Sequence, residues 1–273
     1  MDDREVLIYQ NFFNFPDDCK VDCVISKSEI IKEGDLKTSD KNLFTKYVRQ
    51  IKWCYNFSND TIRLTEYVDD SKSYEEVQVI NVILKDENFD ELDNPNYQLK
   101  NYFKQDNKID RIVEIIFKVI KYPQVIVVQY KDNIRLFMTN ISNNLIDSTK
   151  YTLDEIISTN WINLNNNNRF VKELFNNLNL DNLNFKNAYT FYNSMFDSLI
   201  KYNGSLLVNH EVNLPPDQIQ VITDKIVELN KKIININNGI KKETQFNKKL
   251  EMNIEINKLK NEIKEYEEKL LIN

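Results

Sequence analysis

Residues 219–240 read IQVITDKIVELNKKIININNGI, and this stretch carries the clearest periodicity in the chain. Its apolar residues are separated alternately by three and four positions, which is the heptad spacing of a helix that packs along one side. We call this row the first seam, and its members are Ile219, Ile222, Ile226, Leu229, Ile233, Ile236 and Ile240. The spacing predicts a helix with three uninterrupted heptads.

A second seam with the same spacing follows, formed by Met252, Ile256, Leu259, Ile263, Tyr266 and Leu270. The two seams are out of phase, because extending the first register into the second would place Asn257 and Lys264 in the core. The break lies between Ile240 and Leu250, just after an Asn-Gly pair. We therefore predict a reversal near residues 241–247 and an antiparallel, coiled-coil-like helical hairpin.

The hairpin has two functional interpretations. Its seams either cap the rest of the protein, or the hairpin projects and offers a surface for self-association or for a protein partner. The second interpretation assigns partner binding to residues of the two seams, namely Ile219, Ile222, Ile226, Leu229, Ile233, Ile236, Ile256, Leu259 and Ile263.

The chain before the hairpin mixes strand and helix patterns, which predicts an α+β or α/β fold. Residues 124–130 (QVIVVQY) form a nearly continuous apolar run suited to a central strand of a mixed sheet. Pro215 and Pro216 mark the start of a new helix, since proline is tolerated only at a helix beginning. We predict an α/β body at 1–160, a helical connector at 161–214 and the hairpin at 215–273.

Local patterns predict the elements that precede the hairpin. Helices are expected at 5–15, at 109–120, over 169–203, and after an N-cap at Ser39 with Leu43, Tyr47, Val48 and Ile51 on one face. Strands are expected at 53–57 with 61–68 as antiparallel partner, and at 75–84, 124–130, 134–139 and 151–157.

Composition limits the functional classes. The 273 residues carry a formal net charge of −6 with a pI near 5.1, so no global field attracts nucleic acid or anionic lipid, although a local basic patch is compatible with this. No apolar run approaches the 18 or so residues of a membrane span. The first residues, MDDRE, lack the basic character of a signal peptide. We expect a cytoplasmic protein that does not contact membranes.

Glycine and cysteine are both scarce. With three glycines and neither GxGxxG nor GxxxxGK[ST], a Rossmann or P-loop nucleotide site is improbable, and no cofactor is predicted. Of the three cysteines only Cys19 and Cys23 have a spacing suited to zinc, and the single histidine, His210, is distant in sequence. We predict reduced thiols and no metal site.

One catalytic pattern is present as an alternative. Metal-dependent nucleases of the restriction-endonuclease type place an Asp near one strand and an (E/Q)xK triplet on the next, where carboxylates bind Mg²⁺ and the Lys orients the attacking water. Asp86 follows one predicted strand, and Gln129-Tyr130-Lys131 ends the next. Because Gln is a poor Mg²⁺ ligand and the tripeptide is common, a surface hairpin end is the preferred interpretation.

A second alternative is weak nucleic-acid binding. Basic residues interleave with an aromatic side chain around Trp53, and these residues are Lys46, Arg49, Lys52 and Arg63. Lys46 and Arg49 are expected on one helical face, where they would contact phosphates. An ordinary solvated helix face explains the same pattern.

Four stretches together resemble a prokaryotic family, the one labelled domain of unknown function 4391. They are Phe13-Asn14-Phe15-Pro16 with Ile25-Ser26-Lys27; 44–61 with Ile51-Lys52-Trp53 and Asp60-Thr61-Ile62; Ile120-Lys121-Tyr122-Pro123; and 245–249 (QFNKK) with Asn253. The family pattern has Pro where this chain has Ser26, which weakens any role for that triplet.

The resemblance implies an α/β body with a helical C-terminal tail and supplies no catalytic residues. It also implies a gene beside methyltransferase and helicase genes of restriction-like defence loci. Our leading hypothesis is a non-catalytic interaction subunit that acts through its hairpin in a nucleic-acid-processing or anti-phage defence assembly, with a helicase or a methyltransferase as its partner.

Overall fold

The computed structural model describes residues 13–86, 107–143 and 151–271. The chain divides into two compact units, Met1–Leu199 and Ile200–Asn273. The first unit combines a mixed sheet with helices, and the second is helical. The predicted α+β class is therefore confirmed. Most of the predicted helix at 5–15 lies outside the described residues.

The strands of the first unit are short except near its centre. They are β1 (Lys20–Ile25), β2 (Val48–Phe57), β3 (Tyr67–Val68), β4 (Ser73–Tyr74), β5 (Val77–Leu84), β6 (Gln124–Tyr130), β7 (Asn133–Met138), β8 (Ile141–Asn143), β9 (Tyr151–Leu153), β10 (Ile157–Ser158) and β11 (Ile162–Asn163).

The α-helices lie between and after these strands. They are α1 (Lys27–Glu33), α2 (Thr38–Tyr47), α3 (Asn59–Ile62), α4 (Asn107–Val119), α5 (Arg169–Asn177), α6 (Ala188–Val208), α7 (Pro216–Lys242) and α8 (Phe246–Leu271).

The main sheet has the order β1-β2-β5-β6-β7-β10, and β11 also pairs with β7. Only the β5–β6 pair in this order is parallel. Parallel neighbours need a long crossover, and the segment between these two strands contains α4. The two smaller sheets pair β3 with β4 and β8 with β9.

Every residue of β5 and of β6 is buried, as expected for central strands covered on both faces. The predicted central strand at 124–130 is confirmed with its bounds. On one face, helices α1, α2 and α4 contribute to a core that includes Ile30, Phe44, Tyr47, Ile112, Val113 and Ile116.

Aromatic side chains pack on other residues of the same unit. Phe15 lies between Phe13 and Phe57, with ring centroids 5.1 and 4.8 Å away. Phe57 in turn contacts Phe191 of α6 at 5.4 Å, and Phe13 contacts Phe175 of α5 at 5.2 Å. These pairs connect the end of β2 to the two helices that follow the sheet in sequence.

The prediction for residues 39–51 was partly wrong. Helix α2 begins at Thr38 after Lys37, so Ser39 is not its N-cap, and Val48 and Ile51 belong to β2. Leu43, Tyr47 and Ile51 fit a helical period, but Ile51, Trp53 and Tyr55 fit a strand period equally well. Pairing of β2 with both β1 and β5 decides for the strand.

The predicted partner of the 53–57 strand was also wrong. Residues 59–62 form the short helix α3, which begins with a capping box between Ser58 and Thr61. The chain then turns at Arg63, whose φ is 54°, and β3 pairs with β4. The predicted strand at 151–157 divides into β9 and β10, which belong to different sheets.

In the second unit, α7 and α8 pack together and are joined by only three residues, 243–245. Helix α7 begins at Pro216, as predicted. The Glu243 side chain accepts hydrogen bonds from the backbone N–H groups of Thr244 and Gln245 at 2.7 and 2.9 Å, which satisfies donors at the start of α8. The predicted antiparallel helical hairpin is confirmed.

Candidate functional site

The residues assigned to partner binding mostly lie between α7 and α8. Ile226, Leu229, Ile233, Ile256 and Ile263 are all buried, and so is Ile219. The remaining members, Ile222, Ile236 and Leu259, are half-buried. Because burial of the first six side chains stabilises the pair itself, these six are not available to a protein partner while the hairpin is closed.

Two further observations place residues of α7 near residues of α8. A Cβ atom on Gly239 of α7 would lie 3.6 Å from Cε of Met252 on α8. A hydrogen bond with Glu228 raises the pKa of Lys225, and Tyr266 and Glu262 of α8 contribute in the same direction. A reversal at the connection, residues 243–245, is expected to set Ile233 roughly opposite Ile256 and Ile226 roughly opposite Ile263.

The outside of α8 carries a row of exposed apolar residues. Phe246, Leu250 and Ile254 are 77, 52 and 49% exposed. They are spaced four residues apart, so they follow one another along one face of the helix for about 12 Å. We call these three residues the apolar stripe. None of them belongs to either seam.

The apolar stripe lies in a basic part of the hairpin. Residues 231–260, which we call the hairpin tip, contain eight lysines and three glutamates, a net charge of +5. Since the whole chain carries −6, the remaining residues carry −11. The net charge of the tip is therefore opposite in sign to that of the rest of the chain.

The four residues assigned to nucleic-acid binding do not form one patch. Lys46 lies in the last turn of α2 and Arg49 lies in β2, so they do not share a helical face, although both are exposed. Arg63 follows the opposite end of β2, a strand about 33 Å long. Lys52 is buried, and its Nζ lies 2.5 Å from Oδ1 of Asp22.

The residues of the nuclease alternative lie near the end that the parallel strands β5 and β6 share. The Tyr130 hydroxyl donates to the Asp86 carbonyl at 3.3 Å. The Gln129 side chain is buried and accepts a hydrogen bond from Asn81 Nδ2 at 3.2 Å. Gln129 is thereby held within the sheet, and Asp86 is exposed. The nuclease interpretation remains a prediction.

Sequence reasoning missed the importance of Asn81. It is fully buried in β5, it lies opposite Lys52 in β2, and its Oδ1 has no hydrogen-bond partner among the residues that the structure describes. The signal was available in the sequence, because Asn81 interrupts the otherwise apolar run VINVIL at residues 79–84. Together with Gln129 it makes a polar pair between the two central strands.

The histidine and the cysteines have ordinary surroundings. His210 is exposed, and its Nδ1 lies 3.0 Å from the Glu211 carbonyl oxygen. All three cysteines are free thiols, and burial raises the pKa of Cys19. Within residues 13–86, 107–143 and 151–271, no three His, Cys, Asp or Glu side chains are grouped so that they could hold a metal ion.

A family model described as Domain of unknown function (DUF4391) matches residues 13–263. The chain belongs to the DUF4391 family. This match covers the sheet, α7 and most of α8, including the apolar stripe, so both units are part of the family pattern. No curated protein and no solved structure matches the chain. In the part of the chain that the structure describes, no helix has the length and apolar character needed to span a membrane.

Proposed function

We propose that this DUF4391 protein is a non-catalytic interaction subunit whose hairpin tip binds an acidic, amphipathic helix of a partner protein. The observation that supports the proposal most directly is the apolar stripe, Phe246, Leu250 and Ile254, exposed within a tip of net charge +5. Single exposed apolar residues are common on protein surfaces, but a continuous row among charged residues is typical of interaction sites.

The shape of the stripe favours a helical partner. Its three side chains follow one helix axis at intervals of one turn, so a partner helix lying along α8 would cover all of them at once. Such a helix needs its own apolar residues at matching spacing and acidic residues beside them. Burial of the stripe would then supply affinity, and the surrounding charges would favour the correct partner and orientation.

The charge of the tip argues against self-association through the stripe. Two tips of net charge +5 placed face to face would repel each other, and the repulsion would grow as the salt concentration falls. An acidic partner experiences the opposite effect. The family resemblance adds the expectation that this partner is a nucleic-acid-processing enzyme, a helicase or a methyltransferase, in a defence assembly.

Site-specific photo-crosslinking tests the proposal. A benzoylphenylalanine replaces Leu250 in the full chain, and cross-linked peptides are identified by mass spectrometry after irradiation of the native cells. The matched control replaces Glu255, which follows Leu250 by five residues. At about 100° per residue this is about 500°, or one full turn plus about 140°, so Glu255 points away from the stripe. We expect the Leu250→benzoylphenylalanine chain to cross-link to an acidic, amphipathic segment of one protein, and the control to give little product.

Reconstitution with the purified partner then measures whether the stripe contributes to the affinity. Leu250→Asp should weaken the affinity at least about tenfold, because a carboxylate replaces a buried apolar contact. Thr244→Asp, which adds the same charge at the exposed connection, should change it much less. Cross-links to a second copy of this chain, or equal yields from both probe positions, would overturn the proposal.

A further inference from the structure

A second group of basic residues lies in the first unit, at the junction between α2 and β2. We define the basic edge as Lys27, Lys46, Arg49, Lys85 and Lys108. The junction itself, residues 45–49 (TKYVR), supplies Lys46 and Arg49. The other three residues reach it from the start of α1, the end of β5 and the start of α4.

Two of these lysines contact backbone oxygens of the junction. Lys27 Nζ donates to the Val48 carbonyl at 3.0 Å, and Lys85 Nζ donates to the Thr45 carbonyl at 2.8 Å. Carbonyls at the end of a helix carry partial negative charge, so they help to hold ammonium groups there. Burial lowers the pKa of Lys27, and the positive charge of Lys85 lowers it further.

Two more lysines lie around a single ring. The Nζ atoms of Lys46 and Lys108 are 5.2 and 5.0 Å from the centroid of Tyr47. Hydrogen bonding from Lys108 lowers the pKa of the Tyr47 hydroxyl, and Lys46 contributes in the same direction. Tyr47 is itself buried, so it places the two ammonium groups without presenting an exposed ring for base stacking.

The basic edge spans three adjacent strands. Lys27 lies just beyond β1, Arg49 lies at the start of β2, and Lys85 directly follows β5. These strands are neighbours in the order β1-β2-β5, so the outer two are about 10 Å apart. Measured along the axis of a nucleic acid duplex, that length corresponds to about three phosphates of one strand.

From this arrangement we propose that the basic edge binds the phosphodiester backbone of nucleic acid without reading its sequence. Several cations converge on one short segment, and the closely spaced phosphates of a nucleic acid strand are anions of complementary charge. Among the residues that the structure describes, the arrangement offers charge and no exposed aromatic platform, so we expect the binding to be electrostatic and salt-sensitive. This site is independent of the hairpin and differs from the patch predicted from sequence, because it excludes Lys52 and Arg63.

Fluorescence anisotropy with the full chain tests this site. The probes are a labelled 20-nucleotide single strand and the corresponding duplex, of arbitrary sequence, at 50 and 200 mM salt. We expect the wild type to bind either probe and to lose affinity steeply with salt. Each lost phosphate contact lowers the slope of log K against log salt by about 0.7–0.9. Lys46→Gln/Arg49→Gln should therefore weaken binding about tenfold or more at 50 mM and reduce the slope by about 1.4–1.8.

The matched control is Lys20→Gln/Arg63→Gln, which removes the same charge from exposed positions at the other end of β1 and β2. It should change the affinity less than about twofold, since long-range charge effects are screened. Lys108→Gln, on α4, provides an independent test if the double variant at the edge loses its far-UV circular dichroism signal.

Other surfaces are distinguished in the same assay. A Lys248→Gln/Lys249→Gln variant reports on the hairpin tip, and vesicles of phosphatidylserine and phosphatidylcholine report on anionic lipid. The proposal would be overturned by equal losses of affinity in the edge and control variants, or by a loss of affinity in the tip variant only. It would also be overturned if vesicles retained the protein while DNA did not bind it, or if neither probe bound.

Discussion

A Cβ atom on Gly204 would lie 2.6 Å from Cγ2 of Ile219, so helix α6 approaches helix α7 at a distance that only glycine permits. Ile219 is fully buried and opens the first seam, so its side chain has little room to move. This contact joins the end of α6 to the beginning of the hairpin within the second unit.

Gly204→Ala should therefore destabilise the protein although alanine favours helices. The steric overlap costs about 1–3 kcal/mol, and the gain in helix propensity offsets at most about 1 kcal/mol. Gly239→Ala is the matched control, because its new Cβ would meet Met252 at an ordinary 3.6 Å. Urea unfolding should show a loss for Gly204→Ala and no loss, or a small gain, for Gly239→Ala. The reverse order would contradict the close approach of α6 and α7.

The buried seam gives a second prediction. Ile233→Asp places a carboxylate between α7 and α8, where it has no partner, and should lower the free energy of unfolding by about 3 kcal/mol or more. Asn235→Asp introduces the same charge at an exposed position and should cost less than about 0.5 kcal/mol.

Thermal unfolding compares these two variants, and partner binding is measured beside it. Ile233→Asp should abolish binding that depends on the hairpin, whereas Asn235→Asp should preserve it. Equal melting temperatures and unchanged assembly for both would show that the α7–α8 seam contributes neither to stability nor to partner binding.

The polar pair between β5 and β6 gives a third prediction. Asn81→Val removes the donor to Gln129 and leaves a buried amide oxygen unpaired, which should cost about 1–3 kcal/mol. Replacing both residues, as in Asn81→Val/Gln129→Leu, should cost less than the sum of the single variants by about 1 kcal/mol. A double-mutant cycle by urea unfolding measures this difference, and strict additivity would show that the two amides do not interact.

The Asp22–Lys52 ion pair predicts a pH dependence. The hydrogen bond from Lys52 to the Asp22 carboxylate lowers the pKa of Asp22 below the usual 3.8. A carboxyl with a lowered folded-state pKa contributes stability that is complete above its unfolded pKa and is lost as the pH falls through the folded pKa. Wild-type stability should therefore decline more steeply below pH 3.8 than that of Asp22→Asn.

Unfolding at a series of pH values tests this difference. At pH 7 Asp22→Asn should be the less stable protein, because the buried ammonium group of Lys52 loses its ion pair with Asp22. Parallel stability curves for the two proteins between pH 7 and pH 2 would show that the pair contributes nothing.

The parts of the fold that were predicted from sequence are those with one dominant period. The first seam has no competing pattern, and Pro216 fixes the start of α7. Residues 124–130 are apolar at nearly every position and lie between a proline and a turn, so a buried strand was the simplest solution.

The predictions were wrong where a helical and a strand pattern overlap, or where residues distant in sequence determine which element forms. Ile51 satisfies both a helical and a strand period, and its place in β2 depends on pairing with Val82, which is distant in sequence. The basic edge was missed because Lys27, Lys85 and Lys108 are far apart in the chain and meet only after the sheet forms. Spacing along the sequence contains no signal for that convergence.

The three-residue connection between α7 and α8 has a kinetic consequence. Pairing of the helices can begin at residues 243–245 and extend outward step by step, because no long loop has to close first. The parallel pairing of β5 with β6 instead requires the ends of the segment 85–123 to meet before any ladder forms. Strand pairing, and not helix formation, is therefore expected to limit the rate at which a newly synthesised chain reaches its native state.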